Sequence, residues 1–170
     1  MSRTVLVAYA TRYGSTREAA EAIAASLREE GVEAVVQPAR KVTGANGWSA
    51  IVLGAPIYFG AWHKDALRHL ERNKEELLRT PTAVFALGPT HLADRGASHD
   101  QLHAVLAGYP WLKPIASEVF GGKYDPGRLN LAHRLVSILP ASPLHGAPAS
   151  DARDWTAIAT WAKELAGRIR

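Results

Sequence analysis

Hydroxyl side chains and a glycine are concentrated in the segment ATRYGST, residues 10–16, where an apolar run gives way to an alanine-rich helical pattern. A helix that begins here presents unpaired backbone N–H groups and a partial positive charge, and such a terminus binds anions. Thr11, Ser15 and Thr16 add hydroxyl donors, and Gly14 permits close approach of the backbone. The segment has no GKS or GKT, so it is not a magnesium–nucleotide P-loop. It suits the phosphate monoester of a tightly held cofactor.

Helix capping is a second interpretation of the same segment. Ser15 and Glu18 have the spacing of a capping box, in which the two side chains satisfy N–H groups at the start of the helix. Capping and phosphate binding use the same free N–H groups, so both interpretations stay open. Capping alone does not account for Thr11 and Thr16.

Aromatic residues follow the third apolar run, in the segment GAPIYFGAWH. Tyr58, Phe59 and Trp62 stand near Gly60. Aromatic side chains stack on a planar ring, and glycine lets the loop turn, although we expect at least one of these rings to pack in the core. In GPTHLADRG, residues 88–91 can bring backbone groups to the polar edge of the same ring, and the histidine there is equally well explained as an ordinary loop residue. The two segments together predict a site for a flat ring system.

Two other kinds of site are tested by their ligand patterns. HDQLH places His99 and His103 one helical turn apart, as in zinc peptidase helices, but Asp100 replaces the usual glutamate and no third ligand follows at a family spacing. A solvated helix face is the better interpretation, and we expect no metal site. A phosphoacceptor domain needs acidic residues after the first and third strands, where this sequence has Ala-Thr and Gly-Ala, so that class is excluded.

The composition narrows the remaining classes. The 170 residues, 47% hydrophobic and 21% charged, predict a single folded domain over residues 1–170, and the absence of cysteine excludes disulfides and thiolate sites. The net charge of +4 favours anionic partners, but the basic residues are dispersed and no nucleic-acid-binding motif accompanies them. The N-terminal segment lacks a signal-peptide pattern, and residues 47–62, the longest uncharged run, are too short to span a bilayer. We therefore expect a cytoplasmic protein that does not bind nucleic acid.

Apolar runs alternate with helical periodicity, which is typical of strands buried on both faces between crossover helices. The predicted strands are Val5–Ala8, Ala34–Val36, Ile51–Leu53, Ala83–Leu87 and Ser117–Gly121. Five such β–α units predict a doubly wound α/β fold with a five-stranded parallel sheet. The three candidate segments then follow the carboxyl ends of strands, where open α/β sheets bind ligands.

The second half of the chain carries an insert. One helix pattern runs from Leu67 to Leu78, and a final helix follows a capping-box-like start at Asp151 and Asp154, with Trp155 on its apolar face. Between the fifth strand and this final helix lie residues 122–150, whose middle, 129–139, predicts a short basic amphipathic helix. A loop this long inside a compact domain is more often functional than idle.

ATRYGST resembles the flavodoxin phosphate loop T-x-T-G-x-T, with Tyr13 in place of the middle threonine, and WSAIVLGAPIYFGAW and ALGPTH are similar to the segments that flank the isoalloxazine ring. The resemblance runs along almost the whole chain and implies strand order 2-1-3-4-5 and FMN as the cofactor. The cofactor-binding residues that it implies are Thr11, Arg12, Tyr13, Gly14, Ser15, Thr16, Pro56, Ile57, Tyr58, Phe59, Gly60, Leu87, Gly88, Pro89, Thr90 and His91.

A narrower resemblance covers the insert. FGGKYDPGRLNLAHRLVSIL followed by DARDWTAIATWAKELA is similar to the basic insert and closing helix of the flavodoxin-like, quinone-dependent protoporphyrinogen oxidases. It implies an FMN-dependent oxidoreductase of haem biosynthesis that passes electrons from a reduced tetrapyrrole to a quinone. Arg12, Lys123, Arg128 and Arg134 are then candidates to attract propionates or lipid phosphates. Contact of residues 129–139 with an anionic membrane surface, at the inner face of the membrane, stays open.

Two alternatives remain. A small electron-transfer flavodoxin would have a protein redox partner and no substrate site, although such carriers are usually acidic and this chain is basic. A degenerate domain would no longer bind flavin. The sequence identifies neither a catalytic residue nor the oligomeric state.

Overall fold

A parallel sheet forms the centre of the fold, in a computed structural model that describes residues 4–44, 47–88, 95–142 and 145–170. Its strands are β1 (Thr4–Tyr9), β2 (Glu33–Pro38), β3 (Ala50–Tyr58), β4 (Ala61–Trp62), β5 (Thr82–Leu87) and β6 (Ala116–Phe120). The parallel strands are ordered β2-β1-β3-β5-β6, and β4 pairs antiparallel with the end of β3. The predicted five-stranded α/β sheet and its strand order are therefore confirmed, with one short strand added.

Helices cover both faces of the sheet. They are α1 (Ser15–Glu29), α2 (Lys64–Arg72), α3 (Lys74–Leu77), α4 (Arg95–Ala107), α5 (Leu131–Ser137) and α6 (Trp155–Ile169), with single 3₁₀ turns at Ala39–Lys41 and Pro126–Arg128. The insert also contains a two-stranded ribbon, β7 (Lys123–Tyr124) with β8 (Ser150–Asp151). Within the described ranges, no helix is both long and apolar enough to cross a bilayer.

Two apolar clusters, one on each face of the sheet, hold the layers together. Alternate residues of β1 belong to different clusters: Val7 packs with residues of α1 and α6, whereas Leu6 packs with residues of α2 and α4. This division follows from the alternation of side chains along a strand. Phe85, Phe120 and Trp161 form an aromatic group in the first cluster, with centroid separations of 5.8 to 6.2 Å. The packing of the buried strands thereby fixes the positions of their carboxyl ends and of the loops that follow them.

Three predicted elements differ from the structure. The predicted loop after Leu53 is largely strand, since β3 continues to Tyr58. The helix pattern from Leu67 to Leu78 is interrupted at Asn73, whose side-chain amide donates to the His69 carbonyl at 3.0 Å between α2 and α3. Trp155 is exposed rather than packed, although the rest of α6 is amphipathic as predicted.

Candidate functional site

The ATRYGST segment turns sharply between β1 and α1. The Thr11 hydroxyl accepts a hydrogen bond from the Gly14 N–H at 2.9 Å, and Gly14 has a φ of 91°, which favours glycine. Gly14 is the N-cap and Ser15 is the first residue of α1; within the described residues no side chain caps this terminus. The predicted capping box of Ser15 with Glu18 is therefore wrong, because the turn places Ser15 inside the helix. Its first N–H groups remain for another acceptor.

Thr16 lies in the first turn of α1 and is 0% exposed. Its hydroxyl has no hydrogen-bond partner among the described residues. A buried polar group without a partner costs about 1–3 kcal/mol. A hydroxyl of this kind, close in the chain to uncapped N–H groups, fits an oxyanion that brings several acceptor atoms. The donors of this segment therefore fit a phosphate group.

The insert begins with close backbone packing against the residue that follows β5. A side chain at position 122 would place its Cβ 2.1 Å from the Gly88 carbonyl oxygen, so only glycine fits there. The ribbon of β7 and β8 follows, and α5 then begins at Leu131, with the Asn130 side chain accepting from the His133 N–H at 2.9 Å. The helix predicted within residues 129–139 is thus α5.

Two side chains of the insert contact ATRYGST. The Arg12 guanidinium donates through Nη1 to His133 Nε2 at 2.9 Å, and the Tyr13 hydroxyl is hydrogen-bonded to His133 Nδ1. The rings of Tyr13 and His133 meet edge to face, with centroids 6.0 Å apart. Arg128 Nη1 donates to the Tyr13 carbonyl oxygen at 3.4 Å, a long contact. The basic insert was predicted from the sequence, but these partners were not.

Arg153, which lies between β8 and α6, is a second link to α1. Its side chain is 3% exposed and donates to Glu18 Oε2 at 2.5 Å and to Asp151 Oδ2 at 2.6 Å. It also reaches the Ser15 carbonyl oxygen at 3.3 Å. These hydrogen bonds hold the pKa of the Asp151 carboxyl below its ordinary value, although partial desolvation opposes them. Asp151 therefore binds Arg153, while Asp154 alone caps α6.

The aromatic segment forms a tight hairpin between β3 and β4. Tyr58 pairs with Ala61, and the two residues between them, Phe59 and Gly60, have φ values of 49° and 77°. Two consecutive positive φ values are those of a type I′ turn, which normally selects glycine or asparagine rather than phenylalanine. Phe59 is 86% exposed at its tip. The hairpin thus holds an aromatic side chain outward in a strained backbone conformation.

The other aromatic side chains of this segment differ in burial. Trp62 is buried and donates through Nε1 to the Ala55 carbonyl oxygen at 3.0 Å, which confirms that one of the three rings packs in the core. Tyr58 is only partly buried. Desolvation raises the pKa of its phenol, and nearby Tyr13 adds to the rise, whereas Arg12 opposes it. Tyr58 therefore stands within electrostatic reach of the ATRYGST segment.

A cavity of about 750 Å³ lies between ATRYGST, the hairpin, α4 and the insert. The predicted site residues that line it are Arg12, Tyr13, Ser15, Ile57, Tyr58, Phe59 and Gly88. The insert adds Lys123, Arg128 and His133, which carry positive charge or nitrogen donors, and the apolar Leu129 and Val136. The structure thus brings residues from four distant parts of the chain to one site.

The remaining predicted residues lie elsewhere. Thr11, Gly14 and Thr16 belong to the same turn but do not line the cavity, and Gly60 is in the exposed hairpin. Pro56 and Leu87 are paired with each other in neighbouring strands and are buried. Residues 89–91 lie outside the described part of the chain.

The HDQLH motif lies on α4. His99 Nε2 is 3.2 Å from Glu118 Oε1, so this imidazole has a carboxylate partner on β6. Among the described residues there is no group of three or more side chains that could hold a metal ion.

Comparison with known proteins gives relatives of the sequence and of the fold. Over 84 residues the chain is 27% identical to the protoporphyrinogen IX dehydrogenase [quinone] of Escherichia coli K12, an alignment that covers 48% of this chain and 46% of that protein. The chain thus spans about half the length of the curated relatives that it matches.

Solved structures are similar over nearly the whole chain. A flavodoxin of Streptococcus pneumoniae TIGR4 has a TM-score of 0.59 at 16% identity and covers 97% of this chain and 99% of its own. The flavodiiron core of Flv1 from Synechocystis sp. PCC6803 has a TM-score of 0.60 at 14% identity and covers 99% of this chain and 36% of its own. At these identities the likeness shows the fold alone.

The family itself is shown by the sequence. The family described as Flavodoxin domain matches residues 6–141, which is most of the chain. This match begins in β1 and includes ATRYGST, the hairpin and α5. The chain therefore belongs to the flavodoxin domain family, and FMN is its cofactor.

Proposed function

We propose that this chain is an FMN-dependent oxidoreductase that takes electrons from a reduced tetrapyrrole and passes them to a quinone. The observation that carries this proposal is the wall that the insert adds to the cavity. A pure electron carrier needs only its cofactor and a docking surface, whereas here residues of the insert line the same cavity as the expected cofactor residues. The printed name of the Escherichia coli relative, protoporphyrinogen IX dehydrogenase [quinone], supports the same substrate and acceptor classes.

The cofactor would be held at both ends by residues of this chain. Residues 11–16 would bind the phosphate, because the uncapped helix terminus and the unpartnered Thr16 hydroxyl supply donors that an oxyanion satisfies. Ile57, Tyr58, Phe59 and Gly88, the members of the two predicted ring-flanking segments that line the cavity, would flank the ring. FMN supplies the redox chemistry when it is bound. The chain itself positions the ring, excludes water and sets the local charge.

The lining of the cavity suits a flat molecule with carboxylate groups. Lys123 and Arg128 contribute cations, and Leu129 and Val136 contribute apolar surface. Of the acidic residues of the lining, Glu18 pairs with Arg153. The Asp125 carboxylate accepts from the Gly127 N–H at 3.0 Å and lies 3.8 Å from Arg128 Nε, so it offsets part of the charge of Arg128, whereas the Lys123 charge adds to the positive side of the lining. A tetrapyrrole combines an apolar macrocycle with anionic propionates. The apolar side chains of the lining can therefore contact the macrocycle, and the cations can bind the propionates.

The outer side of the insert suits the delivery of a quinone from a membrane. Large apolar side chains that do not line the cavity are exposed on and just after α5, namely Leu131, Leu135, Ile138 and Leu139. Arg134 lies on the same short helix. An apolar face beside basic side chains is typical of segments that bind at an anionic lipid surface. This arrangement supports a cytoplasmic protein that contacts the inner face of the membrane peripherally.

Turnover is the direct test. FMN-loaded protein is mixed under anaerobic conditions with protoporphyrinogen and either menaquinone or a soluble quinone, and protoporphyrin is measured by its fluorescence. We expect quinone-dependent formation of protoporphyrin. The same preparation without quinone is the control, because the electrons then have no acceptor. No quinone-dependent formation by protein whose absorption spectrum shows bound flavin contradicts the proposal.

An electron carrier is the second candidate, and the exposed hairpin favours it. Phe59 and half-buried Tyr58 present aromatic surface at one mouth of the cavity, which can dock a protein partner. A carrier binds no porphyrin but exchanges electrons with a flavodoxin reductase. Porphyrin binding, measured by fluorescence quenching, therefore separates the two functions. A preparation that stays colourless when FMN is added supports the degenerate domain instead.

A further inference from the structure

His133 links the insert to the ATRYGST segment through both nitrogens of its ring. Nε2 faces Arg12 Nη1 at 2.9 Å, and Nδ1 faces the Tyr13 hydroxyl. His133 is held in place from its own side, because its backbone N–H donates to the Asn130 side chain at the start of α5. The partners are 121 and 120 residues apart in the chain, so these bonds join two otherwise separate elements.

The chemistry of the three side chains determines how the bonds run. A guanidinium only donates, so His133 Nε2 is the acceptor. In the neutral ring the proton then lies on Nδ1, which donates to the Tyr13 oxygen. A guanidinium carries five N–H donors and only one of them serves His133, so Arg12 retains donors for an anion. The histidine thus orients Arg12 and Tyr13 without neutralising the charge of Arg12.

A second contact strengthens the link. Arg128 Nη1 lies 3.4 Å from the Tyr13 carbonyl oxygen. The same atom lies 4.0 Å from the position that a Cβ would take on Gly14, the N-cap of α1. Two insert side chains therefore stand against three consecutive residues at the turn where the helix begins.

We propose that the insert is a clamp on the phosphate group of the flavin. His133 acts as the positioning residue: it holds Arg12 and Tyr13 at the start of α1, and the phosphate enters or leaves only when this contact opens. The inference rests on the proposed binding of the phosphate by residues 11–16. It assigns a role in cofactor retention to a segment otherwise proposed to serve the substrate.

The rate of FMN release tests the clamp. Bound FMN is diluted into an excess of a flavin-binding apoprotein, and its dissociation rate constant is measured for the wild type and for His133→Ala. Two lost hydrogen bonds lead us to expect release about tenfold faster. His145→Ala is the matched control, because His145 is an exposed histidine of the same insert, and it is expected to release FMN at the wild-type rate.

Four further measurements separate positioning from folding. Riboflavin lacks the phosphate, so its release is expected to change less than twofold in His133→Ala. Tyr13→Phe combined with His133→Ala is expected to be less than additive, since both remove one shared bond. His133→Gln keeps an acceptor and a donor and is expected to restore part of the retention. The thermal midpoint of the apoprotein shows whether each variant still folds.

Distinct outcomes overturn the clamp. It is wrong if His133→Ala releases FMN no faster than His145→Ala, or if FMN and riboflavin release accelerate equally. It is also wrong if His133→Ala binds FMN more tightly, because His133 would then compete with the phosphate for Arg12 and Tyr13. Failure of the underlying site is distinguishable: Thr16→Val would then leave FMN affinity unchanged, whatever His133→Ala does.

Discussion

The two segments that follow β1 and β3 face the same cavity but are built in opposite ways. ATRYGST is held by a hydrogen bond of Thr11 within its own turn. His133 and Arg153 also bind it from distant parts of the chain. The hairpin at residues 58–61 joins the end of β3 to the two-residue strand β4, and Phe59 at its tip is almost fully exposed. The first segment is therefore held in place by several hydrogen bonds, whereas the second has a strained backbone and few stabilising contacts.

This difference suggests a division of labour. An anion needs donors fixed before it arrives, because each donor that must be ordered on binding reduces the affinity. A ring that must meet a second molecule needs an aromatic side chain at the open mouth of the site. We therefore expect substitutions in ATRYGST and its anchors to lower FMN retention, stability or both, depending on which contact is removed. At the hairpin, we expect a gain in stability to come with weaker binding of the flavin ring.

The largest effect is expected at Thr16. Thr16→Val removes a hydroxyl that has no partner within the described chain, so the apoprotein should unfold at the same denaturant concentration or a higher one. The same change removes a donor to a charged group, which is expected to weaken FMN binding about 30-fold. Fluorescence titration of the apoprotein and urea unfolding measure the two quantities.

Thr82→Val provides the matched control. Thr82 is also buried, but its hydroxyl donates to the Thr80 carbonyl oxygen at 3.0 Å, away from the cavity. It is expected to lower the free energy of unfolding by about 1 kcal/mol and to leave FMN affinity unchanged. If the two variants behave alike, the Thr16 hydroxyl is not a ligand of the phosphate.

The anchor at Arg153 is expected to give the next effect. Arg153→Met removes hydrogen bonds to Glu18, Asp151 and the Ser15 carbonyl, and it should lower the free energy of unfolding by about 2 kcal/mol. The estimate is moderate because both carboxylates can return to water. Arg17→Met is the control on α1, the helix that Arg153 contacts, since the pair of Arg17 with Glu21 is exposed and should contribute much less to stability. Equal losses in the two variants would mean that Arg153 is not an anchor.

The hairpin is expected to respond in the opposite direction. Phe59→Asn places a residue that tolerates positive φ in the first position of the turn, so it should raise the free energy of unfolding by about 1 kcal/mol. The same variant should weaken FMN binding severalfold, because it removes the exposed aromatic side chain. Gly60→Ala introduces strain at a φ of 77° in the same turn and is expected to lower stability. A loss of stability in Phe59→Asn would show that the turn is not strained.

The sequence predicts the sheet well because strands that are buried on both faces appear in it as continuous apolar runs. Continuous apolar runs and helical periodicity depend on neighbours in the chain, so the strands and helices followed from them, whereas the strand order came from the resemblance to flavodoxins. The end of β3 was missed because Pro56 looks like a loop residue. Pairing with β1 ends at Gly54, so the proline's missing N–H costs no bond on that side. The break at Asn73 was missed because Leu70 and Leu77 keep the helical period across it.

The candidate site was only partly predictable, for a physical reason. ATRYGST and the aromatic hairpin lie beside strands that position them, so their local pattern was informative. Arg153 and His133 act on residues more than a hundred positions away. No local pattern distinguishes them from other basic residues in the second half of the chain, because their partners are determined by the fold. The predicted cap at Ser15 failed because a glycine with positive φ takes the N-cap position.

The smallest effect on stability is expected from lowering the pH. It should affect the anchor of ATRYGST at Arg153 but not the hairpin. Arg153 holds the pKa of Asp151 below its ordinary value, so the folded chain keeps this carboxylate ionised where the unfolded chain binds a proton. The resulting stabilisation is present above about pH 4 and is lost as the pH falls through the lower folded value. Asp151→Asn should remove this part of the acid dependence, as seen in urea unfolding of the apoprotein at neutral pH and in acid. Phe59→Asn should keep its gain in stability at both pH values, because the described hairpin contacts involve no carboxylate. If its gain disappears in acid together with the Asp151 contribution, the two regions are coupled rather than independent.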